Sequence, residues 1–241
     1  MERRVAAAKN DPGYRLAGNC TDAQLATVVW YRTLQLLRGL TLRLRARGIR
    51  GVVFRGRSVI VEHAGQLCAG RSLILEDGVF INALSLQGIS LGDNVTIARG
   101  AVLVCTGVMA NLGVGITIGD RSAVGASSFL GGQGGIHIGD DVIMGPGVRI
   151  FSENHVFDAL DVPIRMQGER RQGVAISNNC WIGAGALIVD GVSIGEGCVI
   201  AAGAVVTSSI PSWSIAAGVP ARVIRSRQAP AEIGHAAPAA R

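Results

Sequence analysis

His155 stands in the run FSENHVFDALDVPIRMQGERRQG, residues 151–173, where a histidine, its neighbour Asn154 and the charged Asp158, Asp161, Arg165, Glu169, Arg170 and Arg171 crowd together. An imidazole titrates near neutral pH, so a histidine beside a polar loop suits the removal of a proton from a hydroxyl or an amine. Metal chemistry is the other possibility, because His137 lies 18 residues before His155. A zinc site of three histidines would need a further ligand, since His63 precedes the region holding this pair and His235 lies in the C-terminal tail. The five cysteines, Cys20, Cys68, Cys105, Cys180 and Cys198, contain no CxxC pair, so reduced thiols are expected rather than a disulfide framework. A lone histidine is more often structural than catalytic, and the surrounding elements have to decide.

Those elements follow a period of six. Aliphatic residues recur at Leu91, Ile97 and Leu103, at Ile118, Val124 and Leu130, at Ile138, Met144 and Ile150, and at Ile176, Ile182, Ile188, Ile194, Ile200 and Val206. A Gly or Ala usually follows, and the fifth place is small or aliphatic, as at Val95, Val142, Cys180 and Cys198. A helix would repeat every 3.6 residues and a plain strand every two, so neither fits. A short strand and a turn, repeated around a triangular prism, does fit, with places one and five inward and place six outward. Three hexads then make a coil, which stacks residues 18 apart, Cys180 on Cys198 and His137 on His155. His155 falls on an outward sixth place and Asn154 on an inward fifth, where it would bond a turn. After His155 the pattern degrades until Ile176, as expected of a loop, residues 156–175, held on a rigid scaffold.

Composition bounds the rest. A chain of 241 residues with 34 glycines and 4% aromatics suits tight turns around a thin aliphatic core. The first 57 residues hold 12 of the 23 basic groups and three of the 17 acidic ones, so an anionic partner is expected at that end. Residues 22–47, DAQLATVVWYRTLQLLRGLTLRLRAR, read as a helix capped by Asp22, with Val29, Trp30, Leu37, Leu40 and Leu44 on its apolar face and arginines largely outside it. Packing of that face on the first coil is the expectation; contact of residues 22–50 with an anionic membrane surface is the sharper alternative, and no nucleic-acid partner is expected. Residues 197–221 carry no charge and are long enough to span a bilayer. The hexad phase runs through Val206, and Pro211 and Pro220 follow, so a membrane helix is rejected there. The opening MERRVAAAKNDPGY lacks the apolar core of a signal peptide, and a cytoplasmic protein, peripheral at the inner membrane surface at most, is expected. The organisation predicted is a tail over residues 1–21, a basic amphipathic helix over 22–50, the repeat domain over 51–211, a segment over 212–227 and a disordered tail over 228–241.

The I-G-x-x-x-x hexads resemble the left-handed parallel β-helix of the hexapeptide-repeat acyltransferases. Residues 138–225, from IGDDVIMGPGVRIFSENH to IAAGVPARVIR, look like the maltose and galactoside O-acetyltransferases and, more closely, the polysaccharide O-acetyltransferases. The NHxFDxxxxPIxxQG run from Asn154 to Gly168 is the more specific part; WIG, IAAGAVV and AAGVPAR are shared among acyltransferases with many acceptors. The resemblance implies an all-β left-handed helix, acetyl-CoA as co-substrate with no metal required, a sugar or glycan acceptor, and homotrimers with sites between subunits. It implies that His155 is the general base. Carried over by position, Trp181 shapes the channel, Ala184 and Ala202 offer backbone contacts to the pantetheine arm, Thr207 and Ser208 line its far end, and Arg222 and Arg225 meet phosphates. Many relatives have Lys beside Asp where this chain has Ser208 and Ser209, and an acceptor-holding Asn where this chain reads GASSFLGGQGG, which leaves Ser127 or Ser128 as substitutes. The rival expectations are an N-acetyltransferase acting on an amino sugar or antibiotic, a non-catalytic β-helix scaffold, and a metal enzyme resembling the γ-class carbonic anhydrases.

Overall fold

The computed structural model of the chain describes residues 21–46 and 48–228; the expectations for the N-terminal tail, for Cys20 and for the tail from residue 229 fall outside them. From Gly48 to Val206 the chain winds through three parallel sheets of seven strands each, with two further strands extending the second. It forms a left-handed parallel β-helix of triangular section whose faces are taken in turn: the first by strands such as Ile136–Ile138, the second by Ile143–Met144, the third by Arg149–Phe151. Every aliphatic at place one named above is buried, as are Val95, Val142, Cys180 and Cys198 at place five, in a single core column running from Leu42 to Ala221. Each buried Ile or Leu side chain contributes on the order of 2 kcal/mol, and the column supplies a layer of them per coil.

The hexad also dictates its own turn. Place four adopts a left-handed conformation, taken by Asn94, Arg121, Asp141 and Asn179 at the corner between the first and second faces, and by Gly100, Ser127, Gly147, Gly185 and Gly203 at the corner between the second and third. At place two, a Cβ on Gly183 would lie 2.4 Å from the Ala202 nitrogen of the next coil, so only glycine lets the coils close there. Along the first corner a ladder of carboxylates and an amide ties coil to coil: the Arg71 N–H donates to Asp93, the Asp93 N–H to Asp120, the Asp120 N–H to Asp140 and the Asp140 N–H to Asn178, at 2.7–2.8 Å. The backbone hydrogen bond from Arg71, and then its guanidinium, hold the Asp93 carboxyl below its ordinary value; Arg121 does the same for Asp141.

Coil length departs from the strict 18. The pairs Trp181 with Val199 and Leu187 with Val205 keep it, so Cys180 and Cys198 do stack, both buried. Elsewhere a coil takes 20 residues from Val53 to Leu73, 22 from Ile74 to Thr96, 27 from Thr96 to Ala123 and 38 from Ile143 to Trp181. The extra residues enter at the third corner, where each coil passes from the third face to the first face of the next.

Helix α1 (Asp22–Arg45) crosses the first coil and packs on Val53–Arg55. Its N-cap is Thr21 rather than the expected Asp22: the Thr21 hydroxyl accepts from the Gln24 N–H while the Gln24 side chain accepts from Thr21. The face it buries differs from the one expected too. Gln35, Gly39 and Leu42 are buried, because a Cβ on Gly39 would meet the Val53 carbonyl at 1.9 Å and only glycine permits that approach. Val29, Trp30, Leu37, Leu40 and Leu44 all face solvent. Tyr31 anchors the helix, its hydroxyl donating to Asp77 at 2.7 Å. At the other end, Ser214–Gly218 and Ala221–Ser226 form an antiparallel pair that extends the second face.

Candidate active site at the third corner

The 38-residue coil exists because the chain leaves the helix after Phe151. Ser152 turns inward, fully buried, its hydroxyl donating to Gly131 O at 2.6 Å and accepting from Gly134 N–H at 2.9 Å. Asn154–His155 then pairs antiparallel with Glu169–Arg170, so the predicted loop is a β-hairpin standing off the corner. Asn154 is exposed on that hairpin, not turned into the core, because Ser152 has taken the inward position. His155 is exposed, as its sixth place predicts, and lies directly across from Glu169. Opposite residues of an antiparallel pair share a face, so Glu169 leaves the hairpin on the same side as His155, where its carboxylate accepts from Asn111.

Several side chains fix the hairpin. Arg171, only 17% exposed, donates from Nε to Glu153 Oε2 at 2.6 Å and from Nη1 to Asn111 Oδ1 at 2.9 Å and Leu112 O at 3.0 Å. Asn111 in turn donates to Glu169 Oε2 at 3.2 Å. Asp190, buried on the next coil, accepts from the N–H groups of Gln172 and Gly173 at 2.7–3.1 Å and pins the returning strand. Within the loop, Gln167 donates to Ala159 O and Val162 O while accepting from Ala159 N–H. Glu169, Arg171, Glu153, Asn111 and Asp190 were not assigned from the sequence. Part of the signal was there in the charge run ERRQG, but only the fold shows that residues 105–115 bulge from the same corner two coils earlier.

The remaining expected site residues divide into two groups. Thr207 and Ser208 are exposed at the third corner, two coils beyond the hairpin, since Val205 pairs with Leu187 and Leu187 with Arg149. Trp181 projects from the second face in a row of paired residues, Ile143, Trp181, Val199, Ile215 and Arg225. Arg222 lies beside this row on the terminal strand, and Ala184 and Ala202 are exposed at the adjoining second corner. The third face separates this group from His155, so one chain does not bring them together.

Other expectations are revised. His137 pairs with Thr117 and Ala175 on the first face, while His155 pairs with Glu169 on the hairpin. The two histidines are not stacked, which removes the spacing that suggested a metal. Among the described residues no three His, Cys, Asp or Glu side chains are grouped to hold an ion. Ser128 is buried, accepting from Val148 N–H, and Ser127 sits in a second-corner turn, so neither reaches the hairpin. Burial pushes the Cys105 thiol up to about 12 and that of Cys180 up to about 11, which keeps both protonated and unreactive at neutral pH. A groove of about 370 Å³ lies on the first face beside the corner, lined by Gln87, Thr117, His137, Gln172 and Ser193 among others. It touches the hairpin only through Gln172 and Gly173. No helix among the described residues is long and apolar enough to cross a membrane.

Comparison with known proteins agrees with this architecture. The family model described as bacterial transferase hexapeptide (six repeats) matches residues 173–208, and that described as hexapeptide repeat of succinyl-transferase matches 72–105 and 110–152. A Mycobacterium tuberculosis protein named as a probable acetyltransferase is 32% identical over 179 residues, covering 74% of this chain and 51% of its own length. A Saccharomyces cerevisiae protein named, with similar reserve, as an acetyltransferase is 41% identical over 114 residues, covering 47% of this chain and 57% of its own length. The chain thus spans little more than half the length of these curated relatives. Among solved structures, the N-acyltransferase AntD of Bacillus cereus, in complex with dTDP and 3-hydroxybutyryl-CoA, superposes with a TM-score of 0.54 at 22% identity, covering 78% of this chain and 88% of that one. Its D94N mutant gives 0.53 at 24% identity, covering 77% and 89%. At such identities the likeness is one of fold.

Proposed function

We infer that this chain belongs with the hexapeptide-repeat acetyltransferases, a family supported by both the repeat models and the curated relatives, and we propose that it transfers an acetyl group from acetyl-CoA to a hydroxyl of a sugar or glycan, with His155 as general base. The observation that carries the reading is His155, exposed on the hairpin that interrupts the repeat. In the reaction, the imidazole takes the proton of the acceptor hydroxyl as its oxygen attacks the thioester carbonyl. A backbone N–H holds the resulting oxyanion; the C–S bond then breaks, and the imidazolium returns its proton to the CoA sulfur. Glu169 stands opposite His155 on the hairpin, its carboxylate held by Asn111.

The row from Ile143 through Trp181 to Ile215 offers an exposed, largely apolar track for the pantetheine arm. It ends at Arg222 and Arg225, which no carboxylate among the described residues pairs. Ala184 and Ala202 at the edge of this track, and Thr207 and Ser208 at the third corner, complete the proposed contacts. Because that track and His155 lie on different parts of one chain, the reading includes a homotrimer in which the hairpin of one copy approaches the second face of the next. The hairpin's apolar tip, with Leu160 fully exposed and Phe157 and Met166 mostly so, is the surface a neighbouring copy would cover.

Release of CoA from acetyl-CoA in the presence of sugar, glycan and amino-sugar acceptors tests this. Turnover with hydroxyl acceptors, lost by about 10²-fold or more in His155→Ala, is the expected result. Turnover confined to amine acceptors would move the reading to N-acetylation. Neither turnover nor acetyl-CoA binding by calorimetry would leave a scaffold.

A further inference from the structure

We propose that the outer face of α1 is a docking surface for an anionic lipid bilayer, which it meets lying flat with its apolar ridge in the headgroup layer. The helix turns its more apolar side away from the protein. It buries Gln35, Gly39 and Leu42 against the first coil while Trp30, Leu37, Leu40 and Leu44 stay 65%, 58%, 58% and 83% exposed. At 100° per residue Trp30, Leu37 and Leu44 form one line, with Leu40 beside it, on the side opposite the buried stripe. Val52 adds to the ridge, and a shallow groove of about 250 Å³ between it and Leu36, Leu37 and Leu40 is lined almost wholly by apolar atoms.

The same geometry sets Arg43 on one flank of the ridge and Arg45 on the other, with Arg32 and Arg38 half-buried beside the first coil. Guanidinium groups at such positions reach lipid phosphates while their stems cover apolar surface. Residues 22–57 contain eight arginines and one acid, Asp22. None of Arg32, Arg38, Arg43, Arg45, Arg50 or Arg57 forms an ion pair among the described residues. Arg32 instead lies against Gln35 and Phe54, and Arg45 against the Val61 carbonyl. This uncompensated charge selects the occupant. A second copy docked through the same face would bring two sets of eight arginines together with one Asp22 each, whereas an anionic bilayer supplies both the apolar layer and the countercharge. The helix crosses the end of the β-helix, so a bilayer beneath it leaves the hairpin that carries His155, several coils away, open to solvent. The inference stands independently of the acetyltransferase reading.

Flotation of the full chain with phosphatidylcholine vesicles, with and without about 30 mol % phosphatidylglycerol, tests it. Wild type is expected to float with the anionic vesicles alone and to detach in high salt. The triple variant Trp30→Ser, Leu37→Gln, Leu44→Gln is expected to lose binding by about 100-fold or more. Arg43→Gln with Arg45→Gln is expected to weaken it by about fivefold per charge. Trp30, Leu37, Arg43 and Leu44 point outward and Arg45 makes one long contact, with the Val61 carbonyl, so the thermal melting of these variants should stay close to wild type and keep misfolding out of the result. The proposal is overturned by wild-type chain that ignores anionic vesicles, by equal binding of the triple variant, or by sedimentation showing that the ridge variants shed copies from an assembly that binds no lipid.

Discussion

The first and third corners of this β-helix are built from the same repeat and behave differently. At the first corner the hexads starting at Leu91, Ile118, Ile138 and Ile176 spend their second place on glycine or serine, their third on a side chain that caps the neighbouring coil, and their fourth on a left-handed turn, so the ladder from Asp93 to Asn178 is continuous. At the third corner the coils differ in length, and the excursions at 105–115 and 152–173 are joined through Arg171 and Asn111. Along the regular corners the coils meet backbone to backbone. Irregular ones project side chains into solvent while the column beneath holds their roots. That contrast explains how a fold of such uniform faces lifts His155 clear of them on a hairpin.

Regular corners can be separated from the third by substitution, and Gly183, at the second corner, represents them. The largest contrast sets His155→Ala against Gly183→Val. The first should remove about 10²-fold or more of turnover with an unchanged melting temperature. The second drives a side chain into the Ala202 backbone and should cost more than about 3 kcal/mol, a melting drop on the order of 10 °C. Next comes Arg171→Ala, which strips Glu153 and Asn111 of their shared partner. Turnover should fall about tenfold, with faster hydrogen exchange in 154–170 and little change in global melting; unchanged exchange there would show that the hairpin stands without it.

Smaller still is Gly168→Ala. Its φ of +82° strains any side chain, but no atom lies within 4 Å of the new Cβ, so about 1 kcal/mol is expected, well below the cost at Gly183. The smallest effect concerns acid. Asp93 and Asp141 have their carboxyls held below the ordinary value of 3.8 by Arg71 and Arg121. Their contribution is present above that value and fades as pH falls through the lower folded one. Denaturation profiles of Asp93→Asn and Asp141→Asn should therefore separate from wild type at neutral pH and draw together as pH falls below the ordinary carboxylate value. His155→Ala should leave this profile unmoved.

How much of this was legible beforehand follows from what a period can encode. A hexad is a local statement about which side chains point inward, and every place-one aliphatic from Leu91 to Val206 is buried as that statement requires. The position of His155 outside the column was legible for the same reason, as was a break between Ile150 and Ile176. Asn154 was misjudged because the phase was carried one turn too far: Ser152 closes the coil early, and hydrogen bonds to Gly131 and Gly134, residues of the preceding coil, cause it to do so. The histidine pair failed likewise, since an 18-residue spacing means stacking only where a coil has 18 residues. For α1, the apolar line on the helix was read correctly and its direction was not. Gly39, unremarkable in a helical pattern, fixes the approach to Val53 and turns the line outward.

The sequence by itself determined the β-helix, the identity of its core and the outward place of the histidine, because each depends on residues no more than a few positions apart. Only the tertiary structure decided that residues 105–115 and 152–173 share a corner, that Glu169 faces His155, and that the second-face row ending at Arg225 lies away from both. Those arrangements depend on how many residues each coil consumes, and coil length is set by contacts between coils, which no single repeat contains.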